Sequence, residues 1–219
     1  MKIDLLQITS FLPFIAEGIF VTLKYTIISI FFGSIWGVSL GLMKVSHQRF
    51  LEVFAGIYTS IFRGTPLLVQ LMFIYHASPQ LTGYKISAFE AGVLTFCLNS
   101  GAYVSEIIRS GILSVDRGQF EAASSLGISY FSMMKDIILP QALRNVLPAL
   151  INEMITLLKE SSLVSVIGEM DLLRRANVVS AEKYIYFEPL LVIAIIYYLM
   201  VMTLSSLMNL VEKRLRRSD

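Results

Sequence analysis

Apolar residues run along this chain in blocks of about twenty with short polar stretches between them, a pattern that reads as membrane-crossing helices rather than amphipathic soluble ones. A helix needs about 20 mostly apolar residues to cross roughly 30 Å of hydrocarbon. Five segments meet that length: 25–43, 51–75, 88–108, 146–167 and 189–210. A further apolar stretch, Phe11–Lys24, lacks the charged start and small-residue cleavage site of a removable signal peptide, so it is expected to stay in the chain and lie along the membrane surface. The pattern predicts an all-α integral membrane protein with a five-helix core, one transmembrane domain over residues 1–219, and a polar loop over 109–145.

Composition agrees. Hydrophobic residues make up 55% of the 219 positions and charged ones 16%, against about 25% charged in an average soluble domain. A soluble enzyme, a disordered chain and a disulfide scaffold are excluded, and the single cysteine, Cys97, has no partner for a bridge. Ten of the eighteen Lys and Arg residues fall in 44–49, in the loop after Ile108 (Arg109, Arg117, Lys135, Arg144) and in the tail (Lys213, Arg214, Arg216, Arg217). Cytoplasmic loops collect such residues, so the N-terminus is expected outside and the C-terminus inside. The net charge of +2 therefore reports topology and not a nucleic-acid partner.

Several ionic and polar side chains fall inside the spans, where each Arg, Lys or Asp costs about 2.5–3.5 kcal/mol at a helix centre. In the fourth span Glu153, Thr156 and Glu160 share a helix face, with Asn152 and Lys159 beside them. Such a helix needs a protein neighbour or a water-filled cavity; an internal ion pair and a pathway lining both remain open. The third span carries a stripe of Asn99, Tyr103, Glu106 and Ser110, in which Glu106 could pair with Arg109 or act in gating. The second contains Arg63-Gly64-Thr65-Pro66-Leu67, where proline and glycine predict a broken helix restarting with Thr65 as cap and Pro66 in the first turn. Transporters aim such half-helix starts at anionic substrate groups, with Arg63 adding charge and Gln70 following on the next turns. A kink with a snorkelling arginine is the plainer alternative. Ser29, Gly33, Gly37 and Gly41 recur every fourth residue along the first span, giving a smooth face for close helix packing, within the subunit or between two copies.

The loop reads as two short helices forming an elbow. Asp116 with Gln119 resembles a capping box, Gly127 suits a left-handed stop, Ser129 can cap a restart, and Pro140 is expected to end the second piece. Phe120, Leu126, Tyr130, Phe131, Met133 and Met134 supply apolar teeth, for the groove of a cytoplasmic partner or for the headgroup layer.

The wording of this loop is more specific. Glu121-Ala122-Ala123, three residues, Gly127, nine residues and Ile137-Ile138-Leu139-Pro140 resemble the EAA signature of permease subunits in bacterial ATP-binding-cassette importers. Gly18…Thr22-Leu23, Arg63-Gly64-Thr65-Pro66-Leu67, Gly101-Ala102-Tyr103…Glu106…Arg109…Gly111, Gly118-Gln119, Pro140-Gln141-Ala142 and Leu158-Lys159…Ser161-Ser162-Leu163 narrow the resemblance to the polar amino acid importers. It covers nearly the whole chain; one departure is Glu160-Ser161, where the family more often has Asp-Thr.

The resemblance implies a multi-pass permease of the bacterial inner membrane, not itself an enzyme. Its partners would be a second permease subunit, identical or related, two cytoplasmic ATPase subunits, an external solute-binding protein and membrane lipid. The chain has no G-x-x-x-x-G-K-[ST] loop, so ATP and Mg would be bound by the partners and no cofactor or metal is expected here. The elbow, with Gly118, Phe120, Glu121, Ala122, Ala123, Leu126 and Gly127, would be the coupling helix. Arg63, Gly64 and Thr65 at the helix start would hold the substrate carboxylate, with Gln70 nearby, while Asn99, Tyr103, Glu153 and Thr156 face its amino group and side chain. Glu153 favours arginine, lysine or histidine, though it could equally answer the α-ammonium of glutamine or another polar amino acid. Glu106, Arg109, Lys159 and Glu160 are the candidates for gating or internal ion pairs.

Two other classes fit the sequence less well. An intramembrane hydrolase using Ser100 needs a base, and His47 and His76 are placed at opposite membrane edges, which also disfavours a metal site. A proton-coupled carrier could use Glu106 and Glu153 but has no reason for the EAA spacing.

Overall fold

The computed structural model describes residues 5–46 and 48–216, and every regular element among them is helical. His47, Lys2, Asp4 and Arg217 lie outside the described residues, as do the side chains of Lys213, Arg214 and Arg216. A lead-in of Leu5–Phe11 and Leu12–Ala16 runs into α1 (Gly18–Val45); then come α2 (Arg49–Gly64), α3 (Leu67–Met72), α4 (Ala88–Leu113), α5 (Arg117–Ser125), α6 (Leu139–Glu160), α7 (Leu172–Lys183) and α8 (Phe187–Arg216).

Ile8–Val45, Ala88–Leu113 and Phe187–Met208 are each long and apolar enough to cross a membrane. Arg49–Gly64 and Leu67–Thr82 reach that standard only together, and they bend by 101° at the break between them. The break was expected; its size means that α3 turns across the bundle instead of continuing the span. The lead-in is not a separate surface helix. It continues directly into α1, and Ile8 and Ile15 are buried against Leu172, Ala176, Val179 and Ile193, so packing on α7 and α8 fixes its direction.

The central seam joins α1 to α4. A Cβ placed on Gly37 would sit 2.5 Å from Cβ of Val104 and 2.8 Å from the Gly101 carbonyl, so the missing side chain is what lets the two backbones meet. The small-residue stripe thus serves packing within the subunit. Helix α4 starts on a complete capping box: Ser87 Oγ accepts from the Glu90 amide and the Glu90 carboxylate accepts from the Ser87 amide.

Two boundaries differ from expectation around the fourth span. Pro140 opens α6 instead of ending the preceding helix, because a wide π turn over Met133–Ile138 precedes it and proline needs no donor in a first helical turn. At the other end α6 stops at Glu160 and a 3₁₀ segment, Ser161–Ile167, carries the chain to Gly168, whose φ of +92° closes the turn.

The elbow itself is anchored rather than loose. Asp116 Oδ1 accepts from the Gly118 amide at 2.6 Å and starts α5, Ser129 caps the restart through the Ser132 amide, and Gly127 takes φ +71°. Of the expected apolar teeth, Met133 and Met134 turn inward with Ala123 onto Ile108, Ile112, Ile138 and Val146, and Phe120 packs against the same cluster. Leu126, Tyr130 and Phe131 remain exposed. Burial in the local core claims the residues that face α4 and α6 and leaves the outer ones exposed.

Candidate substrate path and coupling elbow

The break between α2 and α3 is held by side-chain amides. Thr65 and Pro66 adopt extended backbone, as the residue before a proline prefers, and several carbonyls at the end of α2 lose helical partners. Gln70 Nε2 donates to the carbonyls of Phe62 (2.8 Å) and Thr65 (3.1 Å), and Asn99 Nδ2 from α4 donates to Phe62 O at 3.0 Å and Gln70 Oε1 at 3.1 Å. Broken backbone at this depth is tolerated because neighbouring side chains satisfy it. Thr65 does not cap α3: its hydroxyl donates back to the Ile61 carbonyl at 2.9 Å, and Pro66 occupies the cap position. The i−4 carbonyl lies within reach of a threonine at a helix end, and this contact takes the hydroxyl away from the α3 amides.

One turn and more along α4, Glu106 gathers three cations from three helices. Its Oε1 accepts from Lys44 of α1 and lies 3.4 Å from Arg63 Nη1 of α2; its Oε2 accepts from Arg109 Nε at 2.9 Å. Lys44 also donates to Thr59 Oγ1 at 2.6 Å. The Lys44 side chain is 6% exposed, whereas that of Arg63 is 43% exposed and sits over the Tyr103 ring. Sequence reasoning paired Glu106 with Arg109, but it missed Lys44 and Thr59. The available signal was the position of Lys44 at the end of an apolar helix, only about two turns beyond Gly37.

Arg63, Tyr103 and Glu106 line a cavity of about 990 Å³, with Ser110 and Ser114 of the α4 end and Arg144 and Asn145 of α6. The polar stripe on α4 is therefore divided: Asn99 is buried in the break, while Tyr103, Glu106 and Ser110 face open space. Glu153 and Thr156 lie further along α6 than Ala149, and neither is among the residues that line this cavity. Glu153 is half-buried, and no cation lies within 4 Å of its carboxylate among the described residues. Thr156 and Lys159 are exposed and Glu160 is half-buried. Gly64 is exposed at the end of α2.

On the elbow, Gly118, Glu121, Ala122, Leu126 and Gly127 are exposed, whereas Ala123 is 2% exposed and holds α5 to the core. An exposed helix with a buried heel can take a load from outside and pass it to α4 and α6.

Comparison with known proteins gives the arrangement its family. Residues 29–217 match the model of the binding-protein-dependent transport system inner membrane component. A putative glutamine transport system permease protein, GlnP, of Rickettsia bellii is 56% identical over 202 residues, 92% of this chain and 93% of that one. The arginine transport system permease protein ArtQ of Bacillus subtilis is 48% identical over the whole of both chains. A crystal structure of an amino acid ABC transporter with histidines superposes with a TM-score of 0.91 at 46% identity, covering 98% of this chain and 100% of that one. The chain belongs to the binding-protein-dependent inner membrane components: it is a non-catalytic permease subunit, of the type I fold, in an ATP-binding-cassette importer of the polar amino acid class.

Proposed function

We propose that this subunit carries cationic amino acids, arginine, lysine or histidine, across the bacterial inner membrane by alternating access, with its N-terminus outside and its C-terminus inside. The observation that carries the reading is Glu153, a half-buried carboxylate on α6 with no cation within 4 Å among the described residues. An ionised group in that position draws a positive charge from whatever moves past it. Arg63, exposed at the wall of the 990 Å³ cavity, supplies the complementary site for the substrate carboxylate. Tyr103 and Thr156 border the route, and Gln70 and Asn99 keep the break in shape behind it. The similarity to an arginine permease and to an importer crystallised with histidines supports the cationic choice.

Two cytoplasmic ATPase subunits, a second permease subunit and an external binding protein complete the assembly, and ATP and Mg reside on the ATPases. The elbow seats in an ATPase through Glu121, Ala122, Leu126 and Gly127, with Leu126 and Phe131 as its free apolar contacts. ATP-driven closure of the two ATPases then pushes the elbows, and the helix pairs rock so that the cavity faces alternately out and in. A second reading, glutamine as substrate, is favoured by the Rickettsia relatives; there Glu153 answers only the α-ammonium.

ATP-driven uptake by proteoliposomes holding the full complex separates the two. Arginine, lysine and histidine should enter faster than glutamine at equal concentration; glutamine entering as fast or faster would return the substrate class to neutral amino acids.

A further inference from the structure

Glu106 carries one negative charge against three positive ones, and its three partners are not equivalent. Lys44 is buried and bonded to both Glu106 and Thr59; Arg109 bonds at 2.9 Å from one turn along the same helix. Those two cations already exceed the single negative charge of the carboxylate. Arg63 makes the longest contact, 3.4 Å, is the most exposed of the cluster, and comes from the end of α2 just before the break. Its guanidinium is further held over the Tyr103 ring, 5.3 Å from the centroid. It is thus the surplus cation, held loosely, at the wall of the cavity.

We propose that Glu106 is the positioning residue for Arg63: it parks the guanidinium at the cavity wall in competition with the substrate carboxylate, so that substrate binding exchanges one carboxylate for the other. The proposal rests on the amino acid reading above. Exchange costs little because both partners are carboxylates, and Glu106 keeps Lys44 and Arg109 when Arg63 leaves. The contact given up is one of several between α2 and α4; the Asn99 bond to the Phe62 carbonyl and the Lys44 bridge between Thr59 and Glu106 stay in place. Glu106 would then set the affinity for the carboxylate.

The test compares each amino acid with the amine that lacks only its carboxylate: arginine with agmatine, and glutamine with 4-aminobutanamide. KM and kcat for ATP-driven uptake are read on the full complex for the wild type, Glu106→Gln and Glu106→Asp. Removing the rival acceptor should lower the amino acid KM about two- to fivefold, the size of a part-exposed ion pair, and leave the amine KM in place. Glu106→Asp withdraws the carboxylate from its longest partner first and keeps a charge for Lys44, so it should move KM the same way if the Gln variant fails to assemble. A structural role alone would shift both members of a pair alike; that result, or an unchanged amino acid KM, overturns the proposal. If the wild type itself handles amino acid and amine identically, the carboxylate reading of Arg63 has failed, and the proposal falls with it. An amino acid to amine preference that Glu106 variants leave untouched overturns the parking role alone.

Discussion

Asn99 on α4 donates its side-chain amide to the Phe62 carbonyl of α2, 37 residues away, at 3.0 Å, and so closes the break that turns the chain by 101°. The same amide reaches Gln70 Oε1, so two carboxamides share the duty of the missing helical hydrogen bonds. Asn99→Ala leaves the Gln70 Oε1 acceptor without its donor and the Phe62 carbonyl with Gln70 Nε2 alone, and a buried acceptor left unpaired costs about 1–3 kcal/mol. The melting temperature of the purified subunit should fall by several degrees, at roughly 2–4 °C per kcal/mol for a chain of this size. Thr156→Ala, at an exposed position, should leave it in place.

The α1 and α4 backbones meet where Gly37 has no side chain. Gly37→Ala places a Cβ within 2.5 Å of Val104 Cβ and 2.8 Å of a backbone oxygen that cannot move aside. Overpacking of this kind costs about 1–3 kcal/mol. Gly56→Ala, with nothing within 4 Å, should instead be neutral or stabilise by up to about 1 kcal/mol through helix propensity. Parallel thermal unfolding of the two variants checks the contrast, and equal shifts would contradict the seam.

At the elbow, Gly127 holds φ +71°, a conformation that costs an L-residue about 1–2 kcal/mol. Gly127→Val should tilt α5 without disturbing the spans. ATPase activity of the assembled complex should then lose its stimulation by substrate-loaded binding protein, while membrane insertion and subunit yield persist. Retained stimulation would mean that the elbow does not transmit the stroke.

Asp171 lies at the start of α7, fully buried, capping the Leu173 and Arg174 amides. Burial outweighs those two hydrogen bonds and pushes its carboxyl up to about 6, against 3.8 ordinarily. The folded chain therefore binds this proton more tightly than the unfolded chain does. Its contribution to stability grows as pH falls through about 6 and is complete below 3.8. Relative to Asp171→Asn, the wild type should gain melting temperature between pH 7 and pH 5; a constant difference between the two proteins across that range would refute the assignment.

Much of this was legible in the residue pattern because the bilayer imposes a coarse rule, long apolar runs with polar groups only where they are sheltered. That rule, with the Arg63-Gly64-Thr65-Pro66 sequence, located the break, and the stripe of Ser29, Gly33, Gly37 and Gly41 located the seam. It could not give the angle at the break or the carboxamide bonds across it, which depend on where α4 sits. Pro140 misled because proline ends one helix as readily as it begins another, and only the π turn before it decides between them. The Glu106 cluster was half visible: Arg109 is three residues away on one helix, whereas Lys44, Thr59 and Arg63 arrive from two other helices. Met133 and Met134 look like free apolar teeth in a polar loop until the core they fill is known.

The half-buried Glu153 carboxylate on α6 is proposed to read the charge of the cargo. Uptake of arginine and of glutamine should be measured side by side in proteoliposomes holding the complete importer, wild type, Glu153→Gln or Glu153→Asp. The account predicts that Glu153→Gln lowers arginine uptake about tenfold, equivalent to roughly 1.4 kcal/mol, with glutamine uptake nearly unchanged and Glu153→Asp restoring much of the loss. Equal losses for both amino acids, or no loss for either, would contradict it.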